Sequence, residues 1–308
     1  MIEIRNLRKE YDGTVALENL QLDVSEGEVF GLIGPNGAGK TTLIRILATL
    51  LEPTYGSVRI GGIDLLEDPL RVHPLIGYMS DFFSLYDQML VWEYLDHFAR
   101  CYGVDRHRRD RLIAEALELV SLQVRRDAEI KSLSRGMRQR LCFAKSLLHE
   151  PKVLLLDEPA SGLDPAGRIE FRGLIKTLHE MGRTILISSH ILTEMADFCS
   201  SVGILEQGRL LASGRVDDIV RQLQSGMRLE IEVADGLDSL VTLLESHDST
   251  DDVQVSEGRV RCRWTAGRDR LPELHRQIVG ANILLVSFSV RSDNLEDLYM
   301  RISGHKTS

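Results

Sequence analysis

The stretch Gly34-Pro35-Asn36-Gly37-Ala38-Gly39-Lys40-Thr41-Thr42 constrains the fold of this chain more than any other. It follows the apolar run Val29-Phe30-Gly31-Leu32-Ile33, which reads as a buried strand. It precedes Leu43-Ile44-Arg45-Ile46-Leu47-Ala48, which reads as a helix. Strand, glycine-rich loop and helix in that order are the context that makes such a loop a phosphate cradle. A polyphosphate needs many donors and little steric bulk. Gly34, Gly37 and Gly39 let the backbone curl so that its N–H groups point inward. The following helix adds the positive end of its dipole. Lys40 is expected to reach the β- and γ-phosphates, and the Thr41 hydroxyl to ligate Mg²⁺.

A second stretch complements the first. Val153-Leu154-Leu155-Leu156 reads as an apolar strand that ends in Asp157-Glu158-Pro159. Burying charge is costly, so adjacent acids at the end of a buried strand point to a chemical task. Asp157 fits a Mg²⁺ ligand, and Glu158 a group that orients and polarises an attacking water. Ser161-Gly162-Leu163-Asp164 follows as a tight loop, then a helix from about Ala166 to Met181. Thr184-Ile185-Leu186-Ile187-Ser188-Ser189 reads as another buried strand, with His190 at its carboxyl end, where open α/β sheets bind ligands. Ser134 is a good N-cap for the helix that carries Arg135-Gly136-Met137, and an open helix start there would make a second anion site.

The N-terminal residues alternate: Ile2 and Ile4 with Glu3 and Arg5, and Leu20, Leu22 and Val24 with Gln21 and Asp23, as half-buried strands do. Tyr11, in the loop between them, reads alone as a tyrosine packed on a neighbour, and with a phosphate loop downstream it is expected to be an aromatic platform for an adenine ring. Ile76-Gly77-Tyr78-Met79 is a strand leading into an aromatic loop, and from Val91 to about Ser121 the period becomes helical. The run Arg106 to Arg111 reads as a solvated helix start. Near Ser225-Gly226 the pattern changes. Strand, helix, two strands, helix and strand follow, with a last helix near Leu295–Ile302, an order that suggests a small ferredoxin-like α+β domain.

Composition excludes several classes. The 308 residues carry a net charge of -9, which argues against nucleic acid as a partner. The 4 cysteines are scattered and show neither a disulfide framework nor zinc spacing. Glu3, Arg5 and Arg8 interrupt any signal-peptide core, and no apolar run is long enough to span a bilayer. A membrane role therefore needs a separate partner.

The order of these motifs resembles the nucleotide-binding subunit of an ABC (ATP-binding cassette) transporter over about residues 1–220. The residues that carry it are Tyr11, Gly34–Thr42, the loop after Tyr78, Leu133-Ser134-Arg135-Gly136-Met137, Asp157-Glu158, Asp164 and His190. The resemblance implies a P-loop ATPase core at 1–225, a mixed sheet with antiparallel N-terminal strands and a helical subdomain at about 82–150. An accessory domain would follow at 226–308. It implies ATP and Mg²⁺ as cofactors, with Glu158 and His190 catalytic. Tyr11, Gly34, Pro35, Asn36, Gly37, Ala38, Gly39, Lys40, Thr41, Thr42, Ser134 and Gly136 would bind nucleotide, and Thr41, Asp157 and Asp81 would hold the metal. It further implies a head-to-tail homo- or heterodimer with a second ATP-binding subunit. Each ATP would lie between one P-loop and the other subunit's Ser134-Gly136 helix start. The dimer would power export through a separately encoded transmembrane permease, as a peripheral protein on the cytoplasmic face of the membrane.

Two departures from the family pattern stand out. Asp81 occupies the place of a loop glutamine, which implies altered coupling to the permease. The usual Leu-Ser-Gly-Gly-Gln signature carries Arg135 and Met137 in place of glycine and glutamine, so Arg135 either strengthens a phosphate contact or points to solvent. Two other readings remain open. One is a soluble ABC-type ATPase with a non-transport role, disfavoured by the single cassette and the acidic charge. The other is a weakly hydrolysing regulatory module, which Glu158 and His190 oppose and Asp81 keeps open.

Overall fold

In a computed structural model, residues 1–81, 85–191, 195, 197–223, 227–256 and 258–292 are described. The expected helix near Leu295–Ile302 lies outside them. The chain divides into two compact units that break between Val216 and Asp217.

The first unit begins with β1 (Ile2–Tyr11), β2 (Thr14–Val24) and β3 (Val29–Ile33), followed by α1 (Lys40–Leu47). Next come β4 (Tyr55–Ile60), β5 (Ile63–Asp64), the short α2 (Pro69–Val72) and β6 (Ile76–Met79). Helices α3 (Val91–Cys101), α4 (Arg106–Leu119) and α5 (Arg135–Leu147) precede β7 (Val153–Leu156). Then α6 (Pro165–Glu180), β8 (Thr184–Ser189), β9 (Ser201–Glu206) and β10 (Arg209–Arg215) complete the unit.

The strands form two sheets. One is antiparallel, in the order β2-β1-β4-β5. Its alternating sequence places Ile2, Ile4, Leu20 and Leu22 inward and Glu3, Arg5 and Gln21 outward. The other has the order β10-β9-β3-β8-β7-β6 and is parallel except for the β9–β10 hairpin. Every residue of β3, β7 and β8 is buried, as strands covered on both faces require, which is why they read as unbroken apolar runs. Helix α1 packs Leu43, Ile44 and Leu47 into the same core as Leu32, Leu155 and Leu186. The helical run expected from Val91 to Ser121 is two helices, because Gly103 turns the chain with φ +72° and Asp105 caps α4 by accepting from His107 N–H at 2.8 Å.

The second unit contains β11 (Met227–Asp235), β12 (Thr250–Ser256), β13 (Arg259–Trp264) and β14 (Leu284–Ser292), all antiparallel, in the order β12-β13-β11-β14. Leu229, Ile231, Val260, Cys262 and Trp264 on the sheet share a core with Leu240, Leu244, Leu274 and Ile278 from the helical segments Leu237–Glu245 and Leu271–Gly280.

The parallel sheet is the platform for the site, and Leu155 on β7, between β8 and β6, is fully buried. Leu155→Ala leaves a cavity there and is expected to lower unfolding free energy by about 2–5 kcal/mol, read by urea denaturation. A loss below about 1 kcal/mol would mean that β7 is not at the core of the unit.

Candidate nucleotide site

Four chain segments leave the carboxyl edge of the parallel sheet side by side. β3 runs into Gly34–Gly39, β6 into Ser80-Asp81, β7 into Asp157-Glu158 and β8 into His190. Backbone hydrogen bonds tie these ends together: Asp157 N–H donates to Met79 O at 2.9 Å, and Gly34 N–H to Ser189 O at 3.3 Å.

The loop needs its glycines for two different reasons. A β-carbon at Gly34 would stand 2.1 Å from Leu205 O. Gly39 has φ +108°, and a β-carbon there would meet Ala16 O at 2.5 Å. Gly39 is also the N-cap of α1 and supplies no side-chain cap, so the first N–H groups of the helix stay open toward the loop. Such a terminus is a ready anion site.

Lys40 is only 6% exposed, and its ammonium needs partners. Nζ donates to Gly34 O at 2.6 Å and Pro35 O at 3.1 Å, and lies 3.4 Å from Glu158 Oε1. Glu158 Oε2 meets His190 Nδ1 at 2.8 Å. Glu158 therefore stands between the P-loop lysine and the histidine, on a backbone with φ +47°. Asp157 is fully buried; its Oδ1 accepts from Ser188 Oγ at 2.6 Å, while Oδ2 has no hydrogen-bond partner among the described residues. Burial pushes the Asp157 carboxyl above its usual range; the Ser188 and Thr41 hydroxyls pull the other way, and the Asp81 and Glu158 charges add to the rise.

Asn36, Asp81, Glu158 and His190 line one cleft of about 260 Å³, together with Arg135, Gln139 and Ser161. Tyr11 stands elsewhere, at the end of β1, with its ring half-exposed and Lys9 Nζ 5.0 Å from its centre. Ser134 caps α5 by accepting from Met137 N–H at 3.3 Å. Ser134 and Gly136 line a cavity of about 410 Å³ against α6, which adjoins the Glu158 cleft through Arg135 and Gln139. Tyr11 aside, the residues singled out from the sequence fall into a P-loop group with both acids and the histidine, and a helix-start group that lines the adjoining cavity.

A family model described as "ABC transporter" matches residues 17–161. The chain is 34% identical to an uncharacterized ABC transporter ATP-binding protein of Bacillus subtilis, YdbJ, over 98% of this chain and 94% of that protein. The chain belongs to the ABC transporter ATP-binding proteins. It is also 34% identical to the bacitracin transport ATP-binding protein BcrA of Bacillus licheniformis, over 100% of this chain and 98% of that protein. Among solved structures, an ATP-binding subunit of an ABC transporter superposes with a TM-score of 0.65 at 32% identity, covering 72% of this chain and 92% of that one. The cassette MJ0796, a dimer bound to ADP and Pi, superposes with a TM-score of 0.64 at 25% identity, covering 70% of this chain and 99% of that one.

In this ABC ATPase some residues of the site escaped the sequence reading. Ser188 joins the two acids, since it donates to Asp157 and accepts from Glu158 N–H at 2.9 Å. A hydroxyl pair ending a strand of Ile and Leu was the available signal. Gln139 lies inside α5 among polar residues, and nothing in its spacing marks its bond to Pro159 O.

The buried Asp157 carboxyl gives a pH prediction. Its folded pKa is raised, so the stability it contributes is fully present below its unfolded pKa, about 3.9, and is lost as pH rises through the folded value. Without nucleotide, Asp157→Asn is expected to melt above the wild type at pH 7, the gap closing toward pH 4. A wild type as stable as the variant at pH 7 would contradict the burial cost.

Proposed function

We propose that this ABC ATPase binds and hydrolyses Mg·ATP at the Lys40–Glu158–His190 cleft and powers export through a separately encoded permease. The observation that carries the hydrolysis reading is the bridge Lys40–Glu158–His190 on the floor of a glycine-rich anion cradle. In the assigned roles, Gly34–Thr42 and the open start of α1 hold the phosphates and Tyr11 takes the adenine. Lys40 exchanges its carbonyl partners for β- and γ-phosphate oxygens. Glu158 Oε accepts the proton of the water that attacks the γ-phosphorus, and His190 holds the γ-phosphate in line. ADP leaves with the bridging oxygen.

Mg²⁺ fits the residues present. The unpartnered, buried Asp157 Oδ2 is an oxygen in want of a cation, and Thr41 and Asp81 are near enough to shift its titration. Among the described residues no group of three His, Cys, Asp or Glu has the arrangement to hold a metal ion by itself, so one or two carboxylates, a hydroxyl and substrate phosphates would hold the cation. When bound, the metal neutralises charge on the β- and γ-phosphates.

Ser134 and Gly136 are not among the residues that line the Glu158 cleft of their own chain, which supports a head-to-tail dimer in which they complete the site of a second ATP-binding subunit. The export reading rests on full-length relatives named for bacitracin transport, linearmycin resistance and Nod factor export. Among the described residues no helix is long and apolar enough to cross a membrane, so the permease is assigned to another chain, with this subunit on the cytoplasmic face. The helical subdomain is assigned to about 82–150. The order β12-β13-β11-β14 with two helices supports a ferredoxin-like accessory domain at 226–308.

Steady-state hydrolysis tests the reading. Glu158→Gln is expected to lower kcat by about 10²–10⁴-fold while ATP binding persists. A variant that turns over at the wild-type rate would remove Glu158 from the mechanism.

A further inference from the structure

Arg135 lines the Glu158 cleft beside Asn36, and it also packs on its own subunit's loop. Its guanidinium lies on the backbone of Gly162, where a β-carbon would stand 2.8 Å from Nη2 and 2.9 Å from Cζ. Gly162 has φ +75°, so the chain there both turns sharply and leaves room for the planar group. One helical turn further along α5, on the same face, Gln139 Nε2 donates to Pro159 O. Gln139 is only 6% exposed, and its Oε1 has no hydrogen-bond partner among the described residues.

These contacts clasp the loop Pro159–Gly162 at both ends. The same loop holds Glu158: Ser161 N–H donates to Glu158 O at 3.0 Å. Glu158 sits at φ +47°, a conformation that persists only when its surroundings fix it. Arg135 and Gln139 also line the cleft that Glu158 and His190 line. The start of α5 is thus joined mechanically to the acid of its own subunit, although Ser134 at that start faces a different cavity.

We propose that Arg135 and Gln139 are positioning residues that latch Pro159–Gly162 to α5. A nucleotide engaging the α5 start from the partner subunit thereby sets the geometry of Glu158 in the subunit that carries α5. The proposal rests on the ATPase and dimer reading above. It gives the arginine at this signature position a role in its own subunit's hydrolysis. Lysine is not expected to replace it, because a compact ammonium on a flexible stem does not reproduce the planar guanidinium packed against Gly162.

A double-mutant cycle on kcat tests the latch, using the full chain and Arg135→Ala, Gly162→Ala and the double variant. Arg135 is exposed, so its truncation leaves the core intact. The expected result is a fall in kcat of about tenfold for Arg135→Ala with KM and ATP affinity unchanged, no rescue by Arg135→Lys, and a double variant no slower than the slower single one. Multiplicative losses would overturn the latch, and so would a raised KM at unchanged kcat, which would make Arg135 a phosphate contact. A wild type that binds ATP without hydrolysing it would instead overturn the function reading, and the latch with it.

Discussion

The structure depends on placing charge at the end of buried strands. Lys40 and Asp157 are almost wholly enclosed, and Glu158 stands beside them. Each charge is costly to remove from water, and none is there for stability. The sheet tolerates them because its hydrogen-bonded strand ends fix their partners: two loop carbonyls for Lys40, Ser188 for Asp157, His190 for Glu158. Asp157 Oδ2 has no hydrogen-bond partner among the described residues. The proposed cation with its phosphates would supply that oxygen's missing partner.

This arrangement explains why so much of the core was legible in the sequence. β3, β7 and β8 are buried on both faces and so lose the alternation that marks β1 and β2. A chain that switches between these two patterns declares which strands carry the site. Glycines at 34 and 39 are readable for the same reason: no other residue fits against Leu205 O or Ala16 O. The groups that hold the acids were not readable. Ser188 looks like the tail of a strand and Gln139 like one more polar helix residue, because a hydrogen bond across about thirty or twenty residues leaves no local trace. Arg135 could be named as a departure, but only the fold brings it to Gly162.

The strands of the second unit were legible by alternation. Leu229 and Ile231 point into a core with Trp264, while Arg228, Glu230 and Glu232 face away. Pairs such as Arg261–Glu230 and Arg259–Glu232 bridge adjacent strands on that outer face. Their arginines are exposed, so the pairs add little to stability, though they favour this register over a shifted one.

The central claim is that the P-loop group and the Ser134–Gly136 helix start act together across two subunits. Size-exclusion chromatography of Glu158→Gln, with ATP and with or without Mg²⁺, tests this most directly. Slow hydrolysis should trap a dimer that appears only with ATP. A variant that binds ATP and remains a monomer would contradict a site shared between two copies of this chain.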